Sequence, residues 1–264
     1  MTAKKILIIN PNSSIKFTET LDENIQNTIS RFPVAAQIET YTAPSGPPSI
    51  DNDDDALMSA KAVMSDLQFR LEQYDAFLVA CYSVHPLVGM LKARVSPRIH
   101  VTGIFEASIS TSLSLLFLEP TSKFGIITTG EYPDTILSEG VKKYCGSNDL
   151  SNKRFKGVET TGLTANYFSN SESEEIGKKV KKATMNLIRD RDVRVICLGG
   201  ASATRLHKFV DDVLREELGN AADSVYVVDS VQAGIGQLET LLRAAHVQSL
   251  TNPDMLFGTK TTLR

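Results

Sequence analysis

Two distant stretches of the chain read alike: Ala76-Phe77-Leu78-Val79-Ala80-Cys81-Tyr82-Ser83 and Val195-Ile196-Cys197-Leu198-Gly199-Gly200-Ala201-Ser202. Each is a short apolar run that opens onto small and hydroxylic residues, as a buried parallel strand does when it runs into a loop. Cys81 and Gly200 stand 119 positions apart, and the same interval separates Asn10 from Thr129 beyond two other apolar runs. An equal spacing at two places points to internal duplication of one unit.

The unit is α/β. Lys5 to Ile9 reads as a buried strand, followed by the polar loop Asn10-Pro11-Asn12-Ser13-Ser14 and a helix from about Phe17. Ala36 to Tyr41 alternates as a strand does, Pro44 to Ser49 is a turn-rich loop, and Asp53 to Asp55 caps a helix that runs through Leu71. Phe77 to Ala80 and Val101 to Phe105 complete four strands. The pattern then restarts with strands from Phe124, Gly157–Thr161, Val193–Leu198 and Val225–Asp229. The helices between and after them are Asp134–Tyr144, Ser173–Arg189 and Ala233–Ala245. Such alternation implies parallel sheets with helices on both faces. Ligands of such sheets bind beyond the carboxyl ends of the strands. The polar groups there are Asn10, Asn12, Ser13, Ser49, Cys81, Tyr82, Ser83, Thr128, Thr129, Gly200, Ala201 and Ser202.

Composition removes several function classes. The 264 residues carry a formal net charge of −3, without the basic excess of a nucleic-acid binder. The lysines of the helix Ser173–Arg189 read as a solvated face. No apolar run is long enough to span a bilayer, and Met1 to Asn10 enters a strand without a secretory cleavage site. A cytoplasmic location is therefore expected. Three cysteines cannot all pair, and they read as free thiols in a reducing compartment. No metal-ligand spacing occurs. Gly234-Ile235-Gly236 lacks the third glycine of a dinucleotide site, and Asp51 to Asp55 lacks the spacing of a calcium loop.

Ile9-Asn10-Pro11-Asn12-Ser13, Gly46-Pro47-Pro48-Ser49-Ile50, Asp75 to Cys81, Gly103-Ile104-Phe105-Glu106-Ala107 and Leu198-Gly199-Gly200-Ala201 follow one another in an order and spacing that resembles the aspartate/glutamate/hydantoin racemase superfamily, in particular its hydantoin and allantoin racemase branch and the fungal relatives of that branch. The resemblance implies two pseudosymmetric, flavodoxin-like α/β domains with the active-site cleft between them. Residues 1–104 plus 231–264 would form the first and carry Cys81; residues 105–230 would form the second and carry the Gly199-Gly200-Ala201-Ser202 loop. It also implies no cofactor, a homo-oligomer, and two cysteines facing the substrate's stereocentre from opposite sides. Racemisation takes a proton from one face of a carbon and returns one to the other, so two acid/base groups are wanted. A thiol serves when its pKa is lowered, and the helix expected after Cys81 could do that.

Here the chain departs from the family. Cys81 matches the first cysteine, but the second falls on Gly200, which has no side chain. Cys197 lies three residues earlier and points to the other face of its strand, where it reads as a small buried hydrophobe. Ser202 and His85 are the candidates to replace the missing group, with His207 a weaker one; His100 and His246 have no supporting context. Glu106 reads either as a cleft residue at the end of the fourth strand or as a helix-capping carboxylate. Three functions stay open: an isomerase of a hydantoin, allantoin or similar anionic or ureide compound; a one-thiol decarboxylase, lyase or hydrolase-like enzyme; and a non-catalytic metabolite-binding protein.

Overall fold

A computed structural model describes residues 3–116, 121–129, 134–146, 153–163, 173–200 and 203–251. The first half contains β1 (Lys5–Asn10), α1 (Ile15–Arg31), β2 (Gln37–Thr42), α2 (Asp53–Leu67), β3 (Ala76–Val79), α3 (Pro86–Arg94) and β4 (His100–Gly103). After α4 (Ile104–Leu115) come β5 (Lys123–Thr128), α5 (Asp134–Tyr144), β6 (Phe155–Thr160), α6 (Ser173–Ile188), β7 (Val193–Gly199), α7 (His207–Leu218), β8 (Tyr226–Asp229) and α8 (Ser230–Thr251). The strands form two parallel four-stranded sheets ordered β2-β1-β3-β4 and β6-β5-β7-β8. The same order twice is the architecture expected from the sequence.

The fourth strand ends two residues sooner than its apolar run suggested. Gly103 is the N-cap of α4, so Phe105 and Glu106 belong to that helix's first turn and not to β4. Both strand-to-helix crossings at the ends of the halves are this abrupt. At the other, the Asp229 carboxylate accepts the Gln232 N–H at 2.8 Å, which starts α8 at Ser230, three residues ahead of the sequence estimate.

Three apolar clusters follow from the strand faces. Leu7, Ile9, Phe77 and Val79 pack under α2 and α3, and Ile127, Ile196 and Leu198 pack under α6 and α7. The opposite faces meet in one central core. Ile6, Ile8 and Leu78 of the first sheet share it with Phe124, Ile126 and Cys197 of the second. Helices α4 and α8 fill the space between through Phe105, Ile109, Ile235 and Leu238. Each of these buried large side chains contributes roughly 1.5–3 kcal/mol. The two helices are exchanged between the sheets: α4 leaves β4 and packs on β7 and β8, while α8 leaves β8 and packs on β3 and β4. Gly234 explains itself here. A methyl group on it would stand 2.6 Å from the Leu78 side chain, so the glycine lets α8 lie close on β3.

The strand faces also correct the spacing of the repeat. Side chains alternate between faces along a strand. Ile6 and Ile8 share the central core with Phe124 and Ile126, so β1 and β5 match at an even interval, and Asn10 pairs with Thr128 rather than Thr129. The backbone agrees, for Ala43 N–H donates to Asn10 and Thr161 N–H to Thr128 in the same way. Ala76, Leu78 and Ala80 match Val195 and Cys197 at an odd interval, which keeps Cys81 on Gly200. The difference of one is a register irregularity: Lys123 faces Val193, but Phe124 faces Val195, which leaves Arg194 as an extra residue in β7.

Candidate active site

The loops beyond β1, β2 and β3 lie together at one edge of the first sheet. Asn10 is fully buried and spends its side chain on its own loop. Its amide donates to the Ser14 carbonyl (3.1 Å) and Thr18 Oγ1 (2.9 Å), and its carbonyl accepts the Asn12 N–H (3.0 Å). Asn12 Oδ1 accepts the Ser14 N–H, and Ser14 Oγ in turn caps α1 by accepting from Phe17. Ser13 ties this loop to the next, its N–H donating to the Pro47 carbonyl and its hydroxyl to that of Gly46. Ser49 is exposed and donates to Asp51. Asn10, Asn12 and Ser13, expected as ligand donors, also hold the loops of the rim together through these hydrogen bonds.

Cys81 leaves β3 half-buried, with its Sγ 3.3 Å from the Ser83 hydroxyl. The helix that was to activate it starts only at Pro86. Burial instead pushes the thiol up to about 11, against the pull of the Ser83 hydroxyl, and the negative charges of Glu106 and Asp51 add to the rise. The resting group is a protonated thiol. The field of Asp51 at Cys81 has no signal in the residue string.

His85 sits four residues on and is 2 % exposed. It caps α3: Nδ1 accepts the Leu87 N–H at 3.2 Å. The proton is therefore on Nε2, which lies 3.4 Å from Ser59 Oγ, and that hydroxyl donates to the Pro11 carbonyl at 2.7 Å. Burial lowers the imidazole to about 4, so it is neutral. Nδ1 serves the cap of α3, Nε2 links the β3 loop to the β1 loop through Ser59, and His85 makes no hydrogen bond to Cys81. Of the other histidines, His207 pairs with Asp211 on α7, and His100 opens β4 at the far edge of the sheet.

The β3 loop reaches across to the second half. The Tyr82 ring meets Phe105 edge-on, with centroids 5.3 Å apart at 86°, and its hydroxyl lies 3.1 Å from Ser108 Oγ. The same ring covers Gly199, where an added methyl group would stand 2.5 Å from it. Val84 reaches α5 and fits against Gly140. The turns that carry Cys81 and Gly200 are thereby neighbours. Thr128 is buried, and its hydroxyl donates to the carbonyls of Thr129 (3.2 Å) and Gly199 (3.5 Å). Gly200 has φ +110°, and a methyl group on it would stand 3.3 Å from Thr129 Oγ1. Ala201 and Ser202, expected as ligand and proton-transfer groups, lie outside the described residues. Cys197 is in the central core with its Sγ 2.8 Å from Ser112 Oγ, on the face of β7 opposite Gly200.

Among the described residues no group of three or more His, Cys, Asp and Glu is placed to hold a metal ion, and no helix is long and apolar enough to cross a membrane.

The chain is similar to several known proteins. A fission-yeast protein, uncharacterized protein C1F7.10 of Schizosaccharomyces pombe, is 31% identical over 240 residues, covering 90% of this chain and 92% of that one. A hydantoin racemase from Paenarthrobacter aurescens is 25% identical over 251 residues, covering 94% of this chain and 95% of its own. The fold superposes on an allantoin racemase from Klebsiella pneumoniae with a TM-score of 0.70 at 22% identity, over 92% of this chain and 89% of that one. The Asp/Glu/Hydantoin racemase model matches residues 6–238, and the chain belongs to that family.

Proposed function

We propose that the protein is a cofactor-independent isomerase of the racemase type. Its substrate is a small ureide or amino-acid-derived compound such as a hydantoin or allantoin, and Cys81 moves the proton on one face of the stereocentre. The seat of Cys81 carries the reading: a strand-end thiol beside Ser83, on a turn that Tyr82 docks against the matching turn of the other half. The family match and the hydantoin and allantoin racemases among the similar proteins support the substrate class.

With a thiol at about 11, only about one in 10⁴ is ionised at neutral pH. Cys81 therefore waits as the acid, and it must lose its proton before it can act as the base. The opposite face has a glycine, so water or Ser202 exchanges the proton there. His85 is not that group, because both its nitrogens are engaged. A poorly matched pair transfers protons slowly, and the turnover is expected to be low.

A second reading draws on the same protonated thiol. An enzyme that forms a carbanion by decarboxylation or elimination needs one acid only, so it tolerates the missing cysteine. Enantiopure allantoin and 5-monosubstituted hydantoins, incubated in D₂O and followed by NMR and chiral chromatography, separate the readings. Deuterium at the stereocentre with inversion, lost in Cys81→Ala, supports the isomerase. Exchange with full retention sinks it in favour of a one-acid enzyme. Absence of exchange in substrates that still raise the melting temperature leaves a binding protein.

A further inference from the structure

Glu106 stands beside the Cys81 turn without a partner for half of its carboxylate. Its Oε2 is buried and accepts no hydrogen bond from the protein. Leaving a buried acceptor unmade is costly, and such atoms ask for an occupant. The position is fixed by glycine: a methyl group on Gly103 would lie 2.3 Å from that oxygen and 3.3 Å from Val88 on α3. The residues on either side of Glu106 hold the thiol's own turn, Phe105 through the Tyr82 ring and Ser108 through the Tyr82 hydroxyl. The charge of Glu106 is felt at both Cys81 and Tyr82. Burial raises the Glu106 carboxyl above its usual range, against the backbone N–H groups of Glu106 and Gly103 and the charge of Lys92, which pull it down. In the second half Gln232 occupies the matching place on α8 and the carboxylate has moved to Asp229, so the acid at Glu106 is a property of the Cys81 side alone.

We infer that Glu106 is a specificity-determining residue whose free oxygen accepts an N–H of the ligand and holds it next to Cys81. The ligand class is a cyclic or open-chain ureide with at least one N–H on the side of the carbon that meets the thiol. The inference rests on the substrate class proposed above. An N–H placed there would also offset the negative field that opposes ionisation of the thiol, so the ligand that fits Glu106 is the one that eases proton removal by Cys81.

The test uses binding and needs no turnover. The probes are 5,5-dimethylhydantoin, which has two N–H groups and no exchangeable stereocentre, and its fully N-methylated counterpart. The wild-type chain is expected to bind the first at least about tenfold more tightly by calorimetry, since an acceptor left unpaired in a buried site costs at least that much. Glu106→Met should erase the preference between the two probes, and Glu106→Gln, which keeps an acceptor oxygen, should retain most of it. Equal binding of the two probes by the wild-type chain overturns the inference whether or not the variants fold. So does an undiminished preference in a folded Glu106→Met, or failure of the wild-type chain to bind either probe. If the preference follows Glu106 but no substrate exchanges its proton in D₂O, the ligand assignment stands and the isomerase reading falls.

Discussion

The Tyr82 ring rests directly on the backbone of Gly199, so closely that one methyl group added to the glycine would stand 2.5 Å from it. Tyr82 follows Cys81, and Gly199 precedes Gly200. One contact therefore sets how near the thiol turn comes to the opposing turn, and it does so with a ring that is itself wedged between Phe105 and Ser108.

Gly199→Ala should overpack this contact. The expected loss is ~1–3 kcal/mol, or about 2–4 °C of melting temperature for each kcal/mol in a chain of this size. Removing the ring with Tyr82→Ala makes room for the methyl group. The double variant should then lose less than the sum of the singles, as residues in contact do. Additive losses in thermal melts would mean that the ring and the glycine are not coupled.

Gly200 carries a lesson about what the residue string could show. The duplicated α/β order, the strand-end loops and the match of Cys81 to Gly200 were all legible, because apolar runs and turn residues mark them. The equal interval at Asn10 and Thr129 was misleading. Arg194 adds a residue to β7, and the core shared by Ile6, Ile8, Phe124 and Ile126, with the matching backbone hydrogen bonds to Asn10 and Thr128, reveals that Asn10 matches Thr128. The state of the Cys81 thiol was misread for a related reason. A helix was expected at once after the strand, whereas His85 delays it to Pro86, and the two carboxylates whose fields reach Cys81 come from elsewhere in the fold. Backbone angle was equally invisible: the sequence shows that Gly200 has no side chain, but not that φ there is +110°.

Restoring the second cysteine should for that reason fail. A side chain at Gly200 faces strain of about 1–3 kcal/mol from its backbone angle and a tight approach to Thr129 Oγ1. Gly200→Cys and Gly200→Ala should lose similar stability in thermal melts, and neither should gain two-faced exchange in D₂O. A Gly200→Cys chain that melts like wild type and inverts its substrate would show the seat to be intact.

Cys81 should react slowly. At about 11 its thiolate fraction rises tenfold per pH unit across the neutral and mildly alkaline range, so alkylation of the Cys81 peptide by iodoacetamide should climb without a plateau up to pH 10. Cys197 is raised to about 11 as well. In the unfolded chain both thiols ionise nearer 9, so between about pH 9 and 11 the unfolded state has lost protons that the folded state keeps, and stability falls as pH rises. Replacing Cys197 with Ala should flatten part of that alkaline slope in urea titrations; an unchanged slope would remove Cys197 from the account. A plateau of Cys81 alkylation near pH 7 would refute the protonated resting state.

His85 gives the opposite limb. Its imidazole is lowered from 6.5 to about 4 by burial, while the unfolded ring titrates normally. As pH falls from 6.5 toward 4 the unfolded state takes up a proton that the folded state refuses, so stability is present above 6.5 and is lost on the way down. At about 1.4 kcal/mol for each tenfold step, the full loss is on the order of 3 kcal/mol. Asn at the same position can cap α3 through its side-chain oxygen. His85→Asn should lose less of its urea midpoint over that window than the wild type, since His100, also lowered by burial, still contributes to the acid-side loss. Because the ring's two nitrogens serve Leu87 and Ser59, the variant should also keep a measurable fraction of any exchange activity that depends on Cys81. Complete loss of exchange in a stable His85→Asn chain would make the histidine a proton carrier after all.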